Sequence, residues 1–484
     1  MKSLKWYDFI SINLYWLGLN IRNNAVGNYF MPYLVAIFVP AIILNTALGE
    51  MRLAGLVIAM LVQPAVGLLS DRSSSRFGRR RPFIFVGVLL DLVFLAFIAL
   101  SWNYWALLVA ILLIQVSGNI SHGALQGLIP DLVPENQRGV ASGVKAILEL
   151  LPIVLMGFTV AKLIGAGHFT WAVISTGAAL LVTMLLTIVL VKEQPLTEAP
   201  TAPLAPTMLR VLGMLAGLLA GIIAGLVGGG IVGGLVGLIA WPFTGSTTAW
   251  AIVVGVGVVV AMVVAVVAGV WGGSYATLGK EILQKPDFTW WVVNRLMFLA
   301  AITSIQGIAP YFLKFVFNIT NEAAISRTGT LMIFIGIFLL ASALPGGWLS
   351  DRFGRNRLIG LSGLLAAVGT IVLLTTVWIA NMNLIYIAGI ILGIATGLFN
   401  TANWALGTDL VPPGEAGRYL GVSNLAGAGA GIIGAGIGGP VADYLNNFMP
   451  GMGYFALFSA FAVLFALSAV SLRWVKISKH VQGS

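Results

Sequence analysis

The chain contains no cysteine, which excludes disulfides, thiolate catalysis and cysteine-ligated metal sites. Its three histidines, His122, His168 and His480, are scattered and make no metal-ligand spacing. Charge is scarce: 9% of the 484 residues are charged, where about 25% is usual in soluble domains. The net charge is +10, but so few charges cannot build the broad basic groove of a nucleic-acid binder. No nucleophile–base set points to an enzyme, and no cofactor is expected.

What the chain does have is apolar length. Hydrophobic residues make up 59% of it, more than a soluble fold can hide or a disordered chain would carry. The long runs and 59 glycines predict an all-α polytopic membrane protein rather than a barrel of short alternating strands. Taking about 20 apolar residues per crossing, fourteen spans are expected, near 10–39, 51–69, 82–101, 104–129, 140–165, 169–191, 209–240, 249–272, 290–317, 327–349, 358–380, 384–407, 419–445 and 453–474. The opening MKSLKWYDF leads into a long first span and reads as retained, not as a signal peptide. Arg72, Arg76 and Arg79–Arg81 follow span 2, and Arg352, Arg355 and Arg357 follow span 10. The positive-inside rule then puts both termini in the cytoplasm, with the lipid bilayer as partner.

An internal repeat is legible. Gly67-Leu-Leu-Ser-Asp71-Arg72 recurs as Gly347-Trp-Leu-Ser-Asp351-Arg352, followed by Phe77-Gly78-Arg79 and Phe353-Gly354-Arg355. Asp131-Leu-Val-Pro134-Glu135 with Arg138 recurs as Asp409-Leu-Val-Pro412 with Glu415 and Arg418. Two motifs in the same order at similar spacing indicate duplication. The expected organisation is an N-terminal six-helix bundle (1–191), a cytoplasmic linker (192–207), an inserted transmembrane hairpin (208–273) and a C-terminal six-helix bundle with a short tail (274–484). Duplicated halves suggest rocking around a central cavity.

The G-x-x-S-D-R…F-G-R loop resembles the signature of the major facilitator superfamily. Its long form, Ser70 to Pro82, is similar to the sucrose/proton symporter branch, meaning plant sucrose transporters and their bacterial relatives. Glycoside–pentoside–hexuronide cation symporters are a more distant match. Trp404-Ala-Leu-Gly-Thr-Asp409 is similar to a stretch of bacterial members. The resemblance covers the chain outside 208–273. It implies two bundles with pseudo-two-fold symmetry, alternating access, no cofactor, a small-molecule solute such as a sugar or glycoside, and a proton as candidate coupling ion. It also implies a prokaryotic cytoplasmic membrane. Gating falls to two charge networks: Asp71, Arg72, Arg79, Asp131, Glu135 and Arg138 in one half, and Asp351, Arg352, Arg355, Asp409, Glu415 and Arg418 in the other. The resemblance has departures. Gln115 and Gln126 stand where plant sucrose transporters carry an aspartate and an arginine. Asn403 stands where bacterial relatives often have Asp.

Ionisable groups inside the bilayer are costly and therefore functional candidates. Arg22 lies mid-span 1 among Asn20, Asn23, Asn24 and Asn28. Glu149 lies mid-span 5, four residues after Lys145 and hence on the same face. Arg22 and Glu149 are expected to pair or to share the solute, with Glu149 the candidate proton carrier. A static ion pair is the competing reading. Asp91 in span 3 is a second titratable candidate and equally a structural contact. Asn119, His122 and Gln126 form a polar stripe on span 4. Asn400, Asn403 and Trp404 on span 12 and Asn424 on span 13 offer amides and a ring for a sugar, or interhelical hydrogen bonds. Together with Arg22 and Asn23, these are the expected substrate-binding residues. Arg295 in span 9 reads equally as a cation snorkelling to the inner surface and as a cavity residue. The hairpin carries glycine at every fourth position from Gly213 to Gly237, which permits close helix approach. A protein contact or dimer through 208–273 is a further expectation. Two alternatives stand beside transport of a sugar: export of amphipathic compounds, and a non-transporting role in assembling a membrane complex.

Overall fold

The computed structural model describes residues 4–193, 205–284, 286–411 and 416–475. Among them there is no strand. Seventeen helices follow in order: α1 (Trp6–Ala25), continued through a π-helical turn (Val26–Phe30) into α2 (Met31–Phe38), then α3 (Leu44–Asp71), α4 (Arg81–Ala99), α5 (Tyr104–Leu125), the short α6 (Leu128–Leu132), α7 (Arg138–Phe158), α8 (Val160–Gly165), α9 (Phe169–Leu190), α10 (Ala205–Leu278), the short α11 (Glu281–Gln284), α12 (Pro286–Phe317), α13 (Asn321–Phe353), α14 (Arg355–Thr375), α15 (Met382–Leu410), α16 (Ala416–Phe448) and α17 (Met452–Ser471). Twelve helices among the described residues are long and apolar enough to cross a membrane. The two remaining expected spans, 10–39 and 419–445, are helical too, over Trp6–Phe38 and Ala416–Phe448. The chain is an integral membrane protein.

Two compact units emerge: Met1–Pro40, Ala54–Val211 and Ile319–Gly336 form one, and Ala41–Leu53, Leu212–Asn318 and Ile337–Ser484 the other. In the first, α1 packs on α7 and α9, and α4 packs on α5 and α9. In the second, α12 packs on α16 and α17, and α14 packs on α15 and α17. The same pairings recur with α12 standing for α1, α14 for α4, α15 for α5, α16 for α7 and α17 for α9. The repeat seen in the loops thus extends to the packing of each unit. The division also falls alike within α3, between Leu53 and Ala54, and within α13, between Gly336 and Ile337.

Small residues set the closest approaches. In the first unit Gly157 faces the Gly329 carbonyl and Ile333, and Lys162 Nζ donates to Thr330 Oγ1 at 3.2 Å. In the second, the Asp443 carboxylate caps the start of α3. It accepts from the backbone N–H groups of Asn45 at 3.2 Å and Thr46 at 2.7 Å, and from Asn45 Nδ2 at 2.8 Å. A carboxylate at a helix N-terminus satisfies free N–H groups and opposes the dipole.

The expected hairpin is α10, folded back at Gly245, where φ is +74° and a side chain would be strained. Its glycine stripe is used internally. Gly217 lies on Gly272–Gly273, Gly221 on Gly269, Gly225 on Ala261 and Ala265, and Gly229 on Gly257 and Ala261. The arms then rest on the second unit through Leu218, which reaches Gly429 and Leu296, and Met262 beside Gly438. The stripe is therefore occupied by the chain's own second arm. Ile223, Leu226, Ile231, Leu235 and Leu238 remain exposed on the outside.

Candidate functional site: polar clusters of the helix cores

In the first unit, α1 carries Arg22 into the core, and Gly118 of α5 makes room for it. A Cβ there would overlap the guanidinium. Arg22 Nε donates to Asp91 Oδ2 at 3.1 Å, and Nη2 donates to both Asp91 oxygens at 3.0 Å. Nη2 also reaches the Ile114 carbonyl at 3.0 Å, and Nη1 reaches Asn23 Oδ1 at 2.7 Å. The Ser117 hydroxyl donates to Asp91. Asp91 is fully buried and Arg22 almost so. The expected pairing of Arg22 with Glu149 is not formed. Asp91 of α4 takes its place, because Arg22 points between α4 and α5, whereas Glu149 is engaged locally on α7.

A second cluster joins α1, α5 and α7. The Lys145 ammonium lies 3.9 Å over the Trp16 ring and 3.4 Å from Glu149 Oε1. The ring of His122 meets Trp16 edge-on at 5.3 Å between centroids. Gln126 Nε2 is 3.4 Å from His122 Nε2. The Trp16 indole N–H is buried and has no hydrogen-bond partner among the described residues, so a donor stands ready beside a cation–carboxylate pair. Asn119 is bound back to the Gln115 carbonyl at 2.7 Å. Sequence alone does not single out Trp16, since an aromatic in a membrane helix is ordinarily packing or an interfacial anchor. It also gives no sign of the π-helical turn that follows Arg22, Asn23 and Asn24 and contains Asn28, a feature frequent at functional sites.

In the second unit, Asn403 is fully buried and both ends of its amide are taken. Oδ1 accepts from Arg295 Nη1 at 3.1 Å, and Nδ2 donates to Asn294 Oδ1 at 2.8 Å. Arg295 lies 4.9 Å over the Trp404 ring. Asn400 is half-buried nearby on α15. The Asn424 side chain lies outside the described residues.

The loop motifs converge on a residue the sequence reading passed over. Arg79 Nε donates to Asp131 Oδ2 at 2.9 Å. Arg80, 4% exposed, lies behind it and bridges both aspartates. Its Nε donates to Asp131 Oδ2 at 2.9 Å, and its Nη2 pairs with Asp71. Arg80 Nη1 adds Ser70 Oγ at 2.5 Å. Its backbone N–H donates to Glu193 Oε2 at 2.9 Å. Gly127 leaves space for the guanidinium. Burial pushes the Glu193 carboxyl above the usual range, against the bonds from Arg80 and Arg81. Arg138 instead holds the carbonyls of Val133 and Pro130 at 3.3 and 3.2 Å.

Among the described residues the second copy is thinner. Arg355 pairs with Asp409, but Asn356 stands at the place of Arg80 and donates to the Val475 carbonyl at 2.9 Å. Asp351 is exposed, and Arg352 stacks 5.2 Å over Trp348. Arg72 lies beside Asp71 in the chain and is half-buried. Glu415 and the side chains of Glu135 and Arg418 lie outside the described residues. Arg80 was hidden in sequence because one arginine within Arg79-Arg80-Arg81 looks like another. Only burial separates them.

Comparison with known proteins follows this geometry. A family model described as MFS/sugar transport protein matches residues 14–278, and one described as Major Facilitator Superfamily matches 202–435 and 291–483. The chain is 29% identical over 114 residues to the sucrose transport protein SUC3 of Arabidopsis thaliana, covering 19% of each chain. It is 55% identical over 40 residues to the sucrose transport protein SUT1 of Oryza sativa subsp. japonica, covering 8% of this chain and 7% of that one. The matches thus span about a fifth or less of these relatives. The crystal structure of a D-xylose-proton symporter superposes with a TM-score of 0.59 at 15% identity, over 98% of this chain and 99% of that one, a likeness of fold. Two family models that together run through nearly the whole sequence make the conclusion plain: the chain belongs to the Major Facilitator Superfamily.

Proposed function

We propose that this transporter moves a small polar solute, a sugar or glycoside, by alternating access and together with a proton. It does so in a prokaryotic cytoplasmic membrane with both termini inside. The observation that carries the reading is the cluster of Trp16, His122, Lys145 and Glu149. An indole N–H without a partner among the described residues and a charged pair together supply a donor, a cation and a carboxylate for the polar edges of a hydroxyl-rich ring. Sucrose transport proteins among the relatives support the same solute class.

Within this reading Glu149 carries the proton. Among the described residues its one charged partner is Lys145, on its own helix at i,i+4 spacing, and it is half-buried, so a proton can reach it. Asp91 is the weaker candidate, because Arg22 holds both of its oxygens and Ser117 one. The Arg80 bridge latches the loop of the first unit in one state, with Arg355–Asp409 as its reduced counterpart. A protein contact through 208–273 would use the exposed Leu and Ile face of α10, since the glycine face is filled. The test is uptake of labelled sugars, sucrose and maltose included, into proteoliposomes with and without an inward proton gradient. Gradient-driven uptake supports symport. Uptake indifferent to the gradient leaves a facilitator. No uptake of any sugar by folded protein overturns the solute class.

A further inference from the structure

Arg295 has no counter-ion among the described residues. The other inward-reaching charges described above are matched: Arg22 by Asp91, Lys145 by Glu149, Arg80 by Asp71 and Asp131. Among the described residues no carboxylate lies within ion-pair distance of Arg295. Its described hydrogen bond goes to a neutral amide, Asn403 Oδ1 at 3.1 Å. Its Nε is buried and has no hydrogen-bond partner among the described residues. Asn403, beside it, lies seven residues before the end of α15, about 10 Å inside the helix at 1.5 Å per residue. An uncompensated charge held away from water is costly, so its retention calls for a ligand that completes it.

The surroundings fix the guanidinium from behind, and the Trp404 ring beside it is exposed. Asn403 is itself held by Asn294 at 2.8 Å, and Asn294 donates to the Ser468 carbonyl at 2.7 Å. The Trp291 indole donates to the Asn403 carbonyl at 3.0 Å, and Gly407 makes room for that ring. This chain of bonds holds one rotamer of Arg295 before any solute arrives, which lowers the ordering cost of binding. In front, Trp404 lies 4.9 Å from the guanidinium and is 47% exposed. A planar fork beside an open aromatic face suits an oxyanion joined to a ring.

We propose that Arg295, positioned by Asn403 and stacked on Trp404, binds a carboxylate carried by the transported solute. This deepens the reading of the protein as a transporter of sugar-like solutes and rests on it. Transport of acidic sugars is then favoured over transport of their neutral twins.

The experiment compares matched pairs in proteoliposomes: glucose with glucuronate, and galactose with galacturonate. Glucose 6-phosphate serves as the phosphate arm. The proteins are wild type, Arg295→Gln, Arg295→Lys and Asn403→Asp. The last supplies an internal carboxylate to Arg295 with almost no change of shape, and a thermal melt matching wild type certifies its fold. Wild type is expected to favour the acid at least tenfold. Arg295→Gln and Asn403→Asp bring the acid-to-neutral ratio toward one, and Arg295→Lys falls between because it keeps charge but loses the fork. Neutral sugars transported as well as or better than acids, with Asn403→Asp unchanged, overturn the carboxylate site and leave the transporter reading intact. Preference for the phosphate ester overturns the carboxylate. Transport of neither class overturns both readings.

Discussion

Removing Arg22 strands a buried carboxylate, and the size of the effect can be worked out. The Asp91 side chain is 0% exposed and that of Arg22 4%. Arg22→Met deletes the donors to both carboxylate oxygens, leaving Asp91 with the Ser117 hydroxyl. Breaking a buried pair from one side costs about 3–5 kcal/mol, whereas replacing both partners by apolar groups of similar size is near neutral. Arg22→Met is therefore expected to lose about 3–5 kcal/mol. The double variant Arg22→Met/Asp91→Leu should return to within about 1 kcal/mol of wild type. Reversible unfolding in detergent micelles, read as a double-mutant cycle, measures the coupling. The account is refuted by an Arg22→Met protein within about 1 kcal/mol of wild type, or by a double variant as unstable as the single. The cycle also decides the role of Asp91. A structural clamp moves stability, whereas a proton carrier moves the pH dependence of uptake.

Further predictions concern the loops and the hairpin. Arg80→Ala unpairs Asp71, leaves Asp131 with Arg79 alone, and is expected to cut uptake at least tenfold, while Asn356→Ala at the repeated position changes it less than twofold. Equal effects in uptake assays would contradict the asymmetry of the two copies. In α10, Gly221→Val drives a side chain into Gly269, whereas Gly230 has open space around it. Overpacking of about 1–3 kcal/mol should lower the melting temperature of Gly221→Val and leave Gly230→Val at wild type. For Glu193 the sign is fixed by the raised carboxyl. The folded state holds this proton more tightly than the unfolded chain, so stability from it is present at low pH and is lost as pH rises through the folded value. Wild type should lose stability relative to Glu193→Gln between about pH 4.3, the unfolded value, and neutrality, as read by melts across that range. No pH-dependent difference would contradict it.

The sequence carried the helices and the duplication, because hydropathy and repeated loops are local properties of the chain. Partnerships across helices were harder. Arg22 stands out as a charge within a span, but Asp91 and Glu149 are both in reach of a one-dimensional reading, and the packing of α1 beside α4 and α5 pairs it with Asp91. The glycine stripe announced a close helix contact without naming its partner, which proved to be the other arm of the same hairpin. Arg80 and Glu193 sit among residues of the same kind or at a helix end, so their importance comes from burial alone. Asn403 offered either a sugar ligand or an interhelical hydrogen bond by its chemistry, and its amide bonds Arg295 and Asn294. Arg295 reads from sequence equally as snorkelling to the inner surface and as a cavity residue, and the lack of a carboxylate beside it among the described residues is visible only once its neighbours are known.

If solute and proton cross together with Glu149 as carrier, the internal pH of dye-loaded proteoliposomes reports it when a transported solute is added outside. Wild type is expected to show solute-driven acidification. Glu149→Gln is expected to exchange solute without any pH change. Acidification that persists in Glu149→Gln would contradict it.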